Sequence, residues 1–166
     1  KILEQIKLPA AVDPSAGEIR LELSPSLAAA SRQSLKYLES FDYECSEQTV
    51  SKFFPNVVTY LALKKLGIER PDLKKSLEVN VSKEVQRLYT LQNKDGGWGW
   101  WSAETSRPVL TAYALLALYT SKQAGLAVDA TVMSRAENLL NAYLNKSPDV
   151  NAAYVYNERA FVVFVL

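Results

Sequence analysis

The run "LKKSLEVNVSKEVQRLYTL" places Leu73, Leu77, Val81, Val85, Leu88 and Leu91 at successive spacings of four and three. An α-helix gathers such positions on one face, whereas a strand would scatter them over both. A helix with so clear an apolar stripe needs other helices or a sheet to cover it, and the neighbouring sequence supplies helices. A stretch from about Pro108 to Lys122 ("VLTAYALLALY") is apolar nearly all round, as expected of an inner, fully covered helix. Residues Ala130 to Asn145 give another amphipathic helix through Met133, Ala136, Leu140 and Tyr143. A further one begins near Ala152 and still runs at Leu166.

Upstream, a helical stretch from about Glu47 to Leu66 is stopped by Gly67. Pro55 falls inside it, which predicts a kink or a break into two pieces. The pair Ser24–Pro25 reads as an N-cap followed by proline at the first helical position. Leu27, Leu35 and Leu38 then line one side of a helix ending near Ser40. Six helices with short connections suggest helical hairpins laid side by side. No strict repeat of fixed period is visible, so a layered or toroidal all-α domain is expected rather than a consensus solenoid.

One segment departs from this pattern. In "GEIRLEL", Gly17 to Leu23, Ile19, Leu21 and Leu23 alternate with Glu18, Arg20 and Glu22, the period of a half-buried strand. No partner strand follows, so it is assigned to an adjoining β domain. Residues 1–23 are therefore expected to be linker and strand, and residues 24–166 the helical domain. The first residue is Lys, and the last six are "FVVFVL". Both ends look cut from a longer protein, and an incomplete ring of helices would leave apolar surface uncovered at its open edge.

Composition removes several functions. The chain has 166 residues, about one domain. Its 19 basic and 18 acidic residues leave a net charge of +1, with no basic run to suggest nucleic acid as a partner. With no histidine and one cysteine, Ser-His-Asp and Cys-His catalysis are excluded, and neither a disulfide nor a zinc site is expected. No cofactor or metal is implied. No apolar run approaches the roughly 20 residues that cross a bilayer, and no signal peptide opens the chain.

The chemistry concentrates in "FDYECSEQTVSKFFP", residues 41 to 55. A lone cysteine usually packs as a small hydrophobe, but Glu44, Ser46, Glu47 and Gln48 surround Cys45 with polar residues. Those carboxylates also disfavour a thiolate, so an ordinary nucleophile is a poor fit. A thiol and a carboxamide three residues apart can meet where the chain turns into a helix. Attack of the Cys45 sulfur on the Gln48 side-chain carbonyl, with loss of ammonia, would close an internal thioester. Such a bond needs shelter from water, and Phe41, Tyr43, Phe53 and Phe54 are close in sequence. The competing reading is an inert helical scaffold or interaction domain in which Cys45 stays a free thiol.

"YECSEQTVSKFFPNVVTYLAL" resembles the thioester segment of the bacterial α2-macroglobulins, where a Cys-x-Glu-Gln motif is followed by Thr, Ser and a Phe–Pro pair. "LELSPSLAAASRQSLKYLESF" before it, and "LYTLQNKDGGWGWW" and "VLTAYALLAL" after it, resemble the same domain in the same order. The resemblance covers the chain from about Glu18 onward. It implies part of an α/α toroid, preceded by one strand of a neighbouring β domain. It also implies a protease inhibitor rather than an enzyme, a single-use trap in which Cys45 and Gln48 form the crosslink. The implied partners are target proteases and neighbouring domains of a parent chain. The implied location is the periplasm or a membrane anchor, in bacterial defence. Phe41 stands where bacterial members often place a covering tyrosine, and with Tyr43 is the candidate cover. Glu44 stands where members commonly carry glycine.

Three features remain. Glu47 is a candidate local acid or base, with a helix N-terminal carboxylate as the plainer reading. In "DGGWGWW", Trp98, Trp100 and Trp101 are expected to pack between helices, with Gly96, Gly97 and Gly99 permitting close turns. The motif also suits a terpene cyclase or prenyltransferase, but no aspartate-rich acid motif or zinc set accompanies it. Lys64, Lys65, Lys74, Lys75 and Lys83 read as solvated helix faces.

Overall fold

The computed structural model describes residues 5, 45–68, 71–148 and 153–166, with the side chains of 73 and 153 excepted. The expected strand at 17–23 and helix at 24–40 lie outside the described residues. The described part is all helical: α1 (Ser46–Lys65), α2 (Pro71–Leu91), α3 (Pro108–Gln123), α4 (Ala130–Leu144) and α5 (Ala153–Val165). Helix α3 packs on α1, α4 and α5, and α2 packs on α1.

The apolar periodicity explains this arrangement. Leu77, Val81, Val85, Leu88 and Leu91 of the α2 stripe are all buried. Helix α3 buries Leu110, Ala112, Ala114, Leu115, Ala117 and Leu118 around most of its circumference, the inner position expected from its sequence. Its alanines keep the helix slender, so neighbours can approach from several sides. The two polar side chains that α3 buries are both bonded. Thr111 Oγ1 accepts from the Trp98 backbone N–H at 3.0 Å, and Ser121 Oγ donates to the Ala117 carbonyl at 2.8 Å. Buried hydroxyls need such partners.

Helix ends are fixed by specific bonds. Gly125, at φ +84°, closes α3 with its N–H on the Lys122 carbonyl, while the Leu126 N–H reaches the Ser121 carbonyl, both at 3.0 Å. This is the paired ending that a left-handed residue after a helix makes. Asp129 caps α4 by accepting from the Thr131 N–H at 2.7 Å, and its own N–H donates to the Tyr89 hydroxyl at 2.8 Å. At the other end of α4, Arg159 of α5 donates to the carbonyls of Tyr143, Leu144 and Lys146. A cation there also complements the helix dipole. The phenols facing this region are neutral donors. Burial and then the Glu137 carboxylate push Tyr119 up to about 12, and burial and then Glu158 do the same to Tyr143.

Pro55 does not break α1. The helix is continuous from Ser46 to Lys65. Val50, Phe53 and Val57 on either side of the proline are buried against neighbouring helices. That burial outweighs the backbone hydrogen bond that proline cannot make. The expectation for the tryptophans also needs correction. Trp98 is completely buried, but Trp100 and Trp101 are 41% and 55% exposed. Their loop runs over the surface, and only Trp98 turns inward. The five lysines are exposed, as expected. Uncovered apolar surface is found on α5, where Val163 and Phe164 are 63% and 73% exposed.

Trp98 anchors the loop between α2 and α3. Its indole N–H donates to the Leu88 carbonyl at 2.8 Å, and its own carbonyl accepts from the Arg107 N–H at 2.9 Å. Trp98→Ala should lower the unfolding free energy by about 3–5 kcal/mol. Urea unfolding followed by circular dichroism checks this, and a loss below about 1 kcal/mol would contradict the anchoring role. Thr49 gives the opposite expectation. The buried Ser46 Oγ and Thr49 Oγ1 find no hydrogen-bond partner among the described residues. Thr49→Val removes an unsatisfied hydroxyl at constant shape, so the same measurement should show a neutral or stabilising change of up to about 1 kcal/mol.

Candidate functional site: the first turn of α1

Cys45 is the N-cap of α1, in extended geometry at φ −73° and ψ 167°. An N-cap side chain ordinarily bonds the free backbone N–H groups of the first turn. Cys45 makes no such bond. Its Sγ instead lies 2.8 Å from Oε1 of Gln48. The spacing explains the meeting. N-cap and third helical residue are the two ends of a capping box, in which the third residue's Gln or Glu reaches back toward the cap. Here the carboxamide reaches the cap's sulfur. A separation of 2.8 Å is ordinary between two oxygens and tight for the larger sulfur atom.

Cys45 is 4% exposed, and Gln48 is half-buried. The thiol is therefore sheltered from bulk water while the amide keeps an open side. The carbonyl carbon of Gln48 is one bond beyond the contacted oxygen. The arrangement thus presents a nucleophile and an acyl group to each other with little motion required.

Glu47 points elsewhere. Its Oε1 accepts from Ser51 Oγ at 2.8 Å, and Ser51 Oγ is 3.2 Å from the Tyr113 hydroxyl of α3. The Tyr113 ring meets Phe54 edge-on, with centroids 5.8 Å apart. Glu47, Ser51 and Tyr113 thus form a polar seam between α1 and α3, next to the sulfur–amide pair. Of the four aromatics close in sequence, Phe53 is in the core and Phe54 packs on Tyr113. Phe41 and Tyr43 lie outside the described residues, as does Glu44.

One contact has no precursor in the sequence reading. The Ser46 N–H, the first of the helix, donates to the Trp100 carbonyl at 2.9 Å. The glycine- and tryptophan-rich loop therefore touches the turn that carries Cys45 and Gln48. The motif drew attention by its composition, but a backbone carbonyl has no residue signature that could have revealed the contact. Among the described residues, no group of three or more His, Cys, Asp or Glu side chains could hold a metal, and no helix is long and apolar enough to cross a membrane.

Comparison with known proteins identifies the family and the fold. The A-macroglobulin TED domain model matches residues 19–146. An α2-macroglobulin of Thermotoga maritima is 36% identical over 136 residues, covering 82% of this chain and 8% of the relative. That of Escherichia coli is 30% identical over 147 residues, covering 87% and 9%. The chain thus spans less than a tenth of the length of these relatives. Among solved structures, native E. coli α2-macroglobulin from domain MG7 to the C-terminus superposes with a TM-score of 0.64 at 26% identity, covering 81% of this chain and 22% of that one. Salmonella α2-macroglobulin reacted with methylamine gives 0.66 at 28%, covering 86% and 10%. The helical hairpins follow the α/α toroid of that domain. A matched family model over most of the chain, with relatives of this identity, establishes that the chain belongs to the α2-macroglobulin family and carries its TED domain.

Proposed function

We propose that Cys45 and Gln48 form an internal thioester, and that the chain is the reactive segment of a protease inhibitor that captures its target covalently and once. The observation that carries this reading is the 2.8 Å approach of Cys45 Sγ to Gln48 Oε1 at a buried helix start. In the forming step Sγ bonds to the Gln48 side-chain carbonyl carbon, the bond from that carbon to nitrogen breaks, and the thiol proton leaves with ammonia. In the capture step an amine or hydroxyl of the attacker bonds to the same carbon. The carbon–sulfur bond then breaks, and the attacker's proton passes to sulfur, leaving an amide or ester and a free thiol. Sulfur is the leaving group, so the reaction consumes the device and does not turn over.

Membership of a family of protease traps supports proteases as the targets, and the short span of the chain supports neighbouring domains of a parent protein as its further partners. By the same family argument we place the protein in the periplasm or at the membrane surface, in a defensive role, with residues 24–166 as the N-terminal part of the toroid. Phe41 and Tyr43 are the cover we assign to the bond. Glu47 is suited to assist proton movement through Ser51, whose hydroxyl it already accepts.

The test is chemical. In the freshly isolated native protein the segment holding Cys45 should be lighter by one ammonia, and Cys45 should resist thiol reagents. Gln48→Ala cannot form the bond, so its Cys45 segment should show no loss of ammonia and should label fully once the protein is unfolded. Immediate stoichiometric labelling of Cys45 in the unsubstituted protein would instead leave it a free thiol in an inert helical scaffold.

A further inference from the structure

Resting on the thioester reading, we infer that the loop from Gly97 to Trp101 positions the Cys45–Gln48 pair, through the Trp100 carbonyl, and that Trp100 is a positioning residue for thioester formation. The first N–H groups of a helix need partners, and the N-cap side chain is the usual provider. At α1 Cys45 makes no such bond, its Sγ being engaged with Gln48, and a cap side chain would serve the second or third N–H of the helix rather than that of Ser46. The Ser46 N–H is satisfied from outside the helix, by the Trp100 carbonyl at 2.9 Å. Ser46 follows Cys45 directly, so whatever holds its peptide plane also sets the direction of the Cys45 Cα–Cβ bond. Helical continuity then sets where Gln48 stands relative to it.

The loop is built to hold that carbonyl still. Trp98 is fully buried, and its indole N–H, backbone N–H and carbonyl are all bonded, to Leu88, Thr111 and Arg107. Gly99, between Trp98 and Trp100, passes so close to the returning chain that a Cβ would lie 2.9 Å from the carbonyl oxygens of both Glu104 and Thr105. Asn93 Nδ2 ties the same strand of the loop by donating to the Glu104 carbonyl at 2.7 Å and to Ser106 Oγ at 2.9 Å. The chain on either side of the Trp100 carbonyl is thus held, while Trp100 as a whole is 41% exposed. Its role here is that of a backbone acceptor on a rigid mount, in the sense that functional groups need a supporting shell to stay within reach of each other.

Ser46→Pro abolishes the contact from the side of α1. Proline at the first helical position lacks only an N–H that helices leave free, and is favoured there. Cys45 already has the extended geometry that a residue before proline requires. The substitution keeps the backbone geometry of the helix start while removing the bond, and its Cδ, standing where the amide hydrogen pointed, pushes the Trp100 carbonyl away. Gly99→Ala displaces the acceptor instead, and Leu140→Ala, a buried position in α4, serves as a destabilised control. The experiment measures, in the native protein, the fraction of Cys45 that is blocked to thiol reagents with ammonia lost, alongside thermal unfolding. It also follows hydrogen exchange at the Ser46 amide in the unsubstituted, Gly99→Ala and Leu140→Ala proteins. Ser46→Pro and Gly99→Ala should each lower the blocked fraction severalfold, and Gly99→Ala should speed Ser46 exchange by about tenfold, the size of one net hydrogen bond. Leu140→Ala should change neither in molecules that remain folded. An undiminished blocked fraction in folded Ser46→Pro would overturn the inference, as would an equal fall in Leu140→Ala. A free Cys45 thiol in the unsubstituted protein would overturn the thioester reading itself.

Discussion

Trp98 is sealed from water, and each of its polar groups is engaged with a different part of the chain. The indole N–H meets the Leu88 carbonyl in the last turn of α2, the backbone N–H meets Thr111 in α3, and the carbonyl meets the Arg107 N–H at the start of α3. Leu88 offers one of the carbonyls that a helix end leaves without an internal partner. One side chain therefore completes a helix terminus, fills the space between helices and orients the loop that crosses to α1. Because an unbonded group in that setting would cost about 1–3 kcal/mol, these bonds act as a geometric constraint as much as a source of stability.

Helix termini recur wherever the molecule joins its parts. Arg159 of α5 closes the C-terminus of α4, the Tyr89 hydroxyl of α2 meets the N-cap of α4, and the Trp100 carbonyl meets the N-terminus of α1. Each uses backbone groups that helices cannot satisfy internally. The start of α1 differs from the others in one respect. Its cap side chain faces another side chain, Gln48, and the two buried hydroxyls of the same turn, on Ser46 and Thr49, have no partner among the described residues. Among the described residues, two buried hydroxyls without a partner thus lie in the turn where the chemistry is assigned, the usual place for a protein to depart from its own rules.

Much of this was legible in the residues, and the reasons for the rest are specific. The stripe from Leu77 to Leu91 and the all-round burial of α3 follow from periodicity, which burial enforces. The Cys45–Gln48 meeting follows from a separation of three at a helix start, because cap and third residue face each other. The break that Pro55 could have made does not occur, because its penalty is local while the burial of Phe53 and Val57 that opposes it is tertiary. Trp100 and Trp101 misled because composition marks a residue as able to pack without saying which way a glycine-rich loop turns it. The acceptor for Ser46 was invisible in principle, since any residue type supplies the same carbonyl. Phe41 and Tyr43, the residues read as the cover, lie outside the described residues.

The account depends on Gln48 being an acyl group held on Cys45 rather than a glutamine beside a thiol. Peptide-level tandem mass spectrometry after exposing the native protein to methylamine addresses this directly. The account predicts a methylamide on the Gln48 side chain and on no other glutamine, appearing in step with a free thiol at Cys45. An unmodified Gln48, with the Cys45 thiol free before the amine is added, would contradict it.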